Sequence, residues 1–190
     1  MGSSLTTEEE NPVETDSGDE SSEETQDTPD TGEKTVNMAE FKTGNIVQLV
    51  SKSSSKTLEI VRGADGQLML DGMGPEGAQF QHANWTVVKE DKDVIRLHNC
   101  NNYIVIVDGK TMIVNYPPGA QLGCESKLIV RKHGDYYTFG SMEESDHHLG
   151  IKPEGALKAA SNTREGPHAQ FTVKVLYSPY APDEYYPTKQ

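Results

Sequence analysis

The stretch His147–Tyr177, HHLGIKPEGALKAASNTREGPHAQFTVKVLY, decides how the rest of the chain reads. Leu149 and Ile151 alternate with Gly150 and Lys152. A tight turn, Pro153-Glu154-Gly155, follows, and Leu157 and Ala159 resume the alternation. A polar loop then runs from Ser161 to His168, and Phe171-Val173-Val175 closes the unit. Period two over a few residues marks half-buried strands, and X-Gly between two such runs marks a hairpin. The unit reads strand, turn, strand, loop, strand.

The same plan recurs upstream. Ile46–Val50, Thr57–Val61, Gln67–Leu70 and Trp85–Val88 form a first set, with a turn at Ala64-Asp65-Gly66. Asp93–Leu97, Tyr103–Val107, Thr111–Val114 and Lys127–Val130 form a second, with a turn at Asp108-Gly109. Tyr136–Phe139 opens the third. Trp85, Leu128 and Phe171 are spaced by 43 residues, as are Gly66 and Gly109, while Gly155 follows Gly109 by 46. Internal periodicity of this kind sets architecture before other signals do. Twelve strands, four per unit, with short turns and no helical period predict an all-β fold, and three such units look like a β-trefoil. The expected core is Trp85, Leu128, Phe171, Leu58, Tyr103, Leu149, Val87, Val130 and Val173.

Charge divides the chain. Residues 1–40 hold thirteen acids and one base, whereas residues 41–190 hold seventeen acids and sixteen bases. The first segment has almost no large apolar side chains, so it cannot offset the entropy of ordering and reads as a disordered acidic tail. The expected organisation is a tail at 1–40, a β-trefoil domain at 41–177 and a Pro/Tyr-rich C-terminal tail at 178–190. The tail has the wrong sign for nucleic acid or an anionic membrane. No apolar run is long enough for a membrane span. MGSSLTTEEE lacks the features of a secretory signal. Two cysteines do not make a disulfide framework in a chain this long. A cytoplasmic or nuclear location, or export without a signal peptide, is expected. The tail carries motifs of its own. Gly2 fits an N-myristoylation pattern, and Ser17, Ser21 and Ser22 precede acids, as acid-directed kinases prefer.

Chemistry is sparse. The six histidines are scattered. His147-His148 is the one cluster, and neighbours on a strand point to opposite faces, which makes a poor metal pair. No nucleophile elbow or P-loop occurs. Asp65-Gly66 and Asp108-Gly109 are explained by hairpin chemistry. Cys100, in a turn, reads as a plain thiol. No catalytic residue, metal site or cofactor is expected.

Leu128-Ile129-Val130-Arg131 followed by Tyr136-Tyr137-Thr138-Phe139-Gly140-Ser141 resembles a pattern of fibroblast growth factors. Leu149-Gly150-Ile151-Lys152, Gly155, Lys158, Thr163, Gly166, Ala169 and Phe171 are similar to the C-terminal third of that family. Interleukin-1 cytokines share the fold and also pair it with an acidic leader. Leu128-Ile129-Val130, His133-Gly134-Asp135-Tyr136 and Leu149-Gly150 look like fascin repeats too. The growth-factor resemblance implies a non-catalytic, leaderless signalling module that acts through a protein partner or receptor. Receptor contact would fall on Tyr136, Val173 and Val175, although period two also places both valines in the core. Weak heparan sulfate binding would fall on Lys152, Lys158 and Arg164, with Glu154 and Glu165 lowering the positive field. The fascin resemblance implies an intracellular actin-binding module that would have to self-associate to cross-link filaments.

Overall fold

The computed structural model describes residues 38–180. Gly2, Ser17, Ser21 and Ser22 lie outside the described residues, as do residues 181–190.

Ten strands follow the apolar alternations: β1 (Ile46–Ser51), β2 (Thr57–Arg62), β3 (Leu68–Gly74), β4 (Trp85–Lys89), β5 (Val94–Asn99), β6 (Asn102–Val107), β7 (Lys110–Asn115), β8 (Leu128–His133), β9 (Tyr136–Ser141) and β10 (Phe171–Tyr177). The remaining regular pieces are single 3-10 turns, and no α-helix occurs among the described residues. None of the described helical pieces is long and apolar enough to cross a membrane. β1 pairs with β4 and β10, β4 with β5, β5 with β8, β8 with β9, and β9 with β10. These six antiparallel strands close a ring, which removes their edges. The other four strands make two hairpins, β2–β3 and β6–β7, attached to β1 and β5. β6 and β7 align over six residue pairs. Asp108 and Gly109 at their turn have φ of 50° and 70°, the left-handed pair that a type I′ turn requires.

The sheet corrects the threefold reading. Three equal units of four strands would give twelve strands, and the described residues form ten. The first two units each build a regular hairpin outside the ring. In the third, Leu149–Ile151 and Leu157–Ala159 are reduced to isolated bridges, Gly140 with His148 and Ile151 with Leu157. The backbone donors of that segment are shared among several neighbours instead of forming one ladder. Leu149 N–H goes to Phe139 O (2.9 Å), Ile151 N–H to His168 O (2.8 Å) and Lys158 N–H to Gly150 O (2.8 Å). Pro153 has no N–H to donate, and Gly150 packs against Thr163, so the run pairs with itself only around Ile151 and Leu157 and does not extend into a ladder. The architecture is an all-β closed six-stranded barrel with four further strands, and the β-trefoil expectation is set aside.

The ring, the two hairpins and the Leu149–Ile151 segment fill the interior together. Trp85, Leu128, Phe171, Leu58, Leu149, Val87 and Val130 are buried as expected. Phe139, Leu49, Ile95, Leu97, Ile104 and Ile106 join them. The indole N–H of Trp85 donates to Leu58 O at 3.0 Å, which satisfies its one polar atom in the core. Two expected core residues are half-buried instead. Tyr103 stands on the outer hairpin and stacks on His98 at 4.9 Å. Val173 leans on the core from β10. Val175 is 41 % exposed and so is not core, because β1 and β10 slip register beside it, between Ile46 and Val47.

A short turn, Ala39–Phe41, plugs one end of the barrel. The Phe41 ring is fully buried, edge-on to Tyr137 (5.0 Å) and Phe139 (5.8 Å). The buried Asn45 amide donates to Ala39 O and Glu40 O, both at 3.0 Å, and its oxygen accepts from Ser178 Oγ at 2.8 Å. Tyr180 OH donates to Thr43 O at 2.9 Å. Residues 178–180 therefore form a strap laid back on the barrel.

Candidate functional site

Among the described residues, several charged side chains converge beside the β8–β9 hairpin. β8 ends in Arg131-Lys132-His133, and a turn at Gly134 (φ 63°) leads into Tyr136, the cross-strand partner of His133. After β9, Ser141 Oγ accepts from Glu143 N–H (3.2 Å) and Glu144 N–H (3.0 Å), folding the next loop back onto the strand end. That fold turns His147 and His148 in different directions. His147 Nδ1 lies 2.6 Å from Glu144 Oε2. His148 is only 4 % exposed, lies against Gly140, and sets Nδ1 at 3.3 Å from Thr163 O.

A third segment brings Glu165 between these elements. Its carboxylate lies 3.4 Å from Arg131 Nε, 3.5 Å from His148 Nε2 and 3.6 Å from His133 Nε2. The next residue toward the N-terminus, Arg164, turns the other way and binds Asp146 Oδ2 at 2.6 Å and Asp146 O at 2.8 Å. That hydrogen bond holds the Asp146 carboxyl below the usual range, helped by the Arg164 charge. Gln170 donates to Glu165 O at 3.1 Å and accepts from Lys52 Nζ at 2.7 Å. The Lys52 ammonium also sits 4.2 Å over the Tyr136 ring.

The residues singled out in the sequence fall in different places. Tyr136 is half-exposed beside this cluster, whereas Val173 and Val175 lie on β10. Lys158 and Arg164 line a shallow hollow of about 200 Å³ with Asn162, Gly166, Pro167 and His168. Lys152 is exposed on its turn and does not line that hollow. Glu165 sends its carboxylate to Arg131, His133 and His148. Cys100 and Cys124 are exposed free thiols, and Cys100 occupies the left-handed region at φ 51°. Among the described residues, no three ligand-type side chains are arranged to hold a metal.

Two further features escape the sequence reading. Leu68, Met69 and Met73 on β3 and Met112 on β7 are exposed, both methionines of β3 by 49 %. The two hairpins that carry them pack against each other. The run Leu68-Met69-Leu70-Asp71-Gly72-Met73 was the available signal, with more large apolar side chains than one buried face can take. Buried Glu59 on β2 lies 2.8 Å from His82 Nε2. Burial raises its pKa, nearby Asp71 adds to the rise, and His82 opposes it.

The resemblance to fibroblast growth factors, interleukin-1 cytokines and fascin does not hold. The closed barrel departs from the three equal units that the resemblance required, and neither a protein-family model nor a curated protein matches the chain.

Proposed function

We propose that the barrel is a non-catalytic module that binds a protein partner through the methionine-rich face of its two outer hairpins. The observation that carries this reading is the exposure of Met69, Met73 and Met112 on two hairpins that pack against each other. Exposed apolar side chains scattered singly need no explanation, but a grouped set favours an interaction surface. Methionine suits that task because its unbranched, polarisable side chain adapts to the surface it meets. The rigid ring holds the hairpins in place, so little order is lost on binding. A photoreactive amino acid at position 69, compared with one at exposed Lys92 in a distant turn, tests the reading in cells that express the protein. A discrete adduct at 69, abolished by Met73→Asp and Met112→Asp, is expected. Equal labelling from both positions, or none from 69, refutes it.

A further inference from the structure

We propose that Arg131, His133 and His148 form a receptor for a tetrahedral oxyanion, specifically a phosphoryl group carried by a partner protein, and that Glu165 occupies this receptor in the free chain. Three nitrogen-bearing side chains from two segments, Arg131 and His133 on β8 and His148 beyond β9, face one carboxylate from a third. Their distances, 3.4 Å from Arg131, 3.5 Å from His148 and 3.6 Å from His133, all exceed the roughly 2.7–2.9 Å of a charge-assisted N–H···O bond. The cradle is therefore wider than its occupant. A carboxylate offers two oxygens to three donors, while a phosphoryl group offers three, spread more widely about its centre.

The two imidazoles have partners besides Glu165. His148 Nδ1–H donates to Thr163 O, which leaves Nε2 toward the cradle, where it donates to an anion as the imidazolium, and Gly140 lies against that same edge of the ring. His133 Nε2, the atom that faces Glu165, also lies 3.2 Å from Thr138 Oγ1 on the neighbouring strand, so the hydroxyl and the anion share that nitrogen. Glu165, by contrast, enters from a loop and its side chain is 39 % exposed, so a rotamer change clears the site. Arg131, 60 % exposed, gives the anion its path from solvent.

The surroundings favour a peptide as the carrier. Tyr136, half-exposed, lies across the hairpin from His133. Lys52, over that ring, adds a second fixed cation at the border. This surface differs from the methionine face, and the inference does not rest on that reading.

The test uses the full chain and two fluorescein-labelled Gly/Ser peptides, identical except for one phosphoserine, in anisotropy titrations at low ionic strength. Glu165→Gln removes the competing charge and is expected to bind the phosphopeptide roughly tenfold tighter than the wild type does, with no such gain for the unphosphorylated peptide. Adding Arg131→Gln to Glu165→Gln is expected to abolish the gain, and inorganic phosphate to compete with the peptide. No phosphate-dependent gain in Glu165→Gln, a gain that survives loss of Arg131, or retention of a sulfated glycan but not the phosphopeptide overturns the proposal. Should Glu165→Gln unfold the barrel, broadening of the inorganic phosphate ³¹P line by the wild-type chain decides the matter. Broadening that Arg131→Gln removes supports the receptor, and broadening that Arg131→Gln leaves unchanged overturns it.

Discussion

Phe41→Ala removes the ring that plugs the barrel. The side chain is fully buried and meets Tyr137 and Phe139 edge-on. Truncating a buried phenylalanine costs about 3–5 kcal/mol, through lost transfer energy and the cavity left behind. Edge-to-face pairs are worth a further ~0.5–1.5 kcal/mol each. Against this, Phe41 sits at the mouth of the ring, in a short turn held by Asn45, and that turn can settle into part of the void. A net loss of about 4 kcal/mol is expected. With a urea slope of about 2 kcal/mol/M, the unfolding midpoint falls by about 2 M. Trp85, the one tryptophan of the chain, is fully buried and reports the transition through its emission. Phe41→Leu keeps most of the apolar volume and is expected to recover more than half of the loss. A midpoint drop below about 0.5 M for Phe41→Ala would mean that the turn is not part of the cooperative core.

Three further outcomes follow from named contacts. Trp85→Phe leaves Leu58 O without its donor in the core and reduces volume there, a cost of about 2–4 kcal/mol that thermal unfolding followed by circular dichroism will show. Burial, with the Glu125 carboxylate as its hydrogen-bond partner, pushes the Tyr116 phenol up to about 12. Its neutral form is thus favoured in the fold, and that contribution is intact below the unfolded phenol's pKa of about 10 and vanishes as pH rises through about 12. Ultraviolet titration should lose one late-ionising phenol in Tyr116→Phe; an unchanged curve refutes this. Arg164→Gln should return the Asp146 carboxyl to the ordinary range, read by its carboxyl carbon shift against pH, with an unmoved midpoint contradicting the pairing.

The local chemistry of the chain was legible wherever neighbours in sequence decide the outcome. Asp108-Gly109 announced a two-residue hairpin because few other pairs tolerate two successive positive φ values. Trp85, Leu128 and Phe171 announced buried strand starts by their spacing and alternation. The third hairpin misled, because Leu149, Ile151 and Leu157 alternate as strand residues do while Leu149 and Ile151 donate to Phe139 and His168 elsewhere in the chain. Alternation reports which face is buried, and it does not report which segment completes the ladder. Val175 misled for a related reason, since a register slip in its partner strand leaves no trace in its own sequence. The Glu165 cluster was the least legible feature. Arg131 and His133, His148, and Glu165 come from three segments, and only ring closure brings them together. From sequence Glu165 was a charge that weakened a basic loop, and its direction depended on the turn at Pro167–Ala169 that follows it.

The pairing of β1 with β10 also has a meaning in time. Val47 finds its neighbour in Val175, and Asn45 finds its own in Ser178, so the first and last strands of the barrel are each other's walls. A chain emerging from the ribosome can finish both outer hairpins early, because each needs only its own turn. The ring has no such option: while β10 is unmade, β1 presents an open edge, and the cost of bringing such distant segments together has yet to be met. Completion is therefore a late, single event. Until it occurs, the same apolar strands that later make a sealed interior are an exposed surface for other chains to pair with.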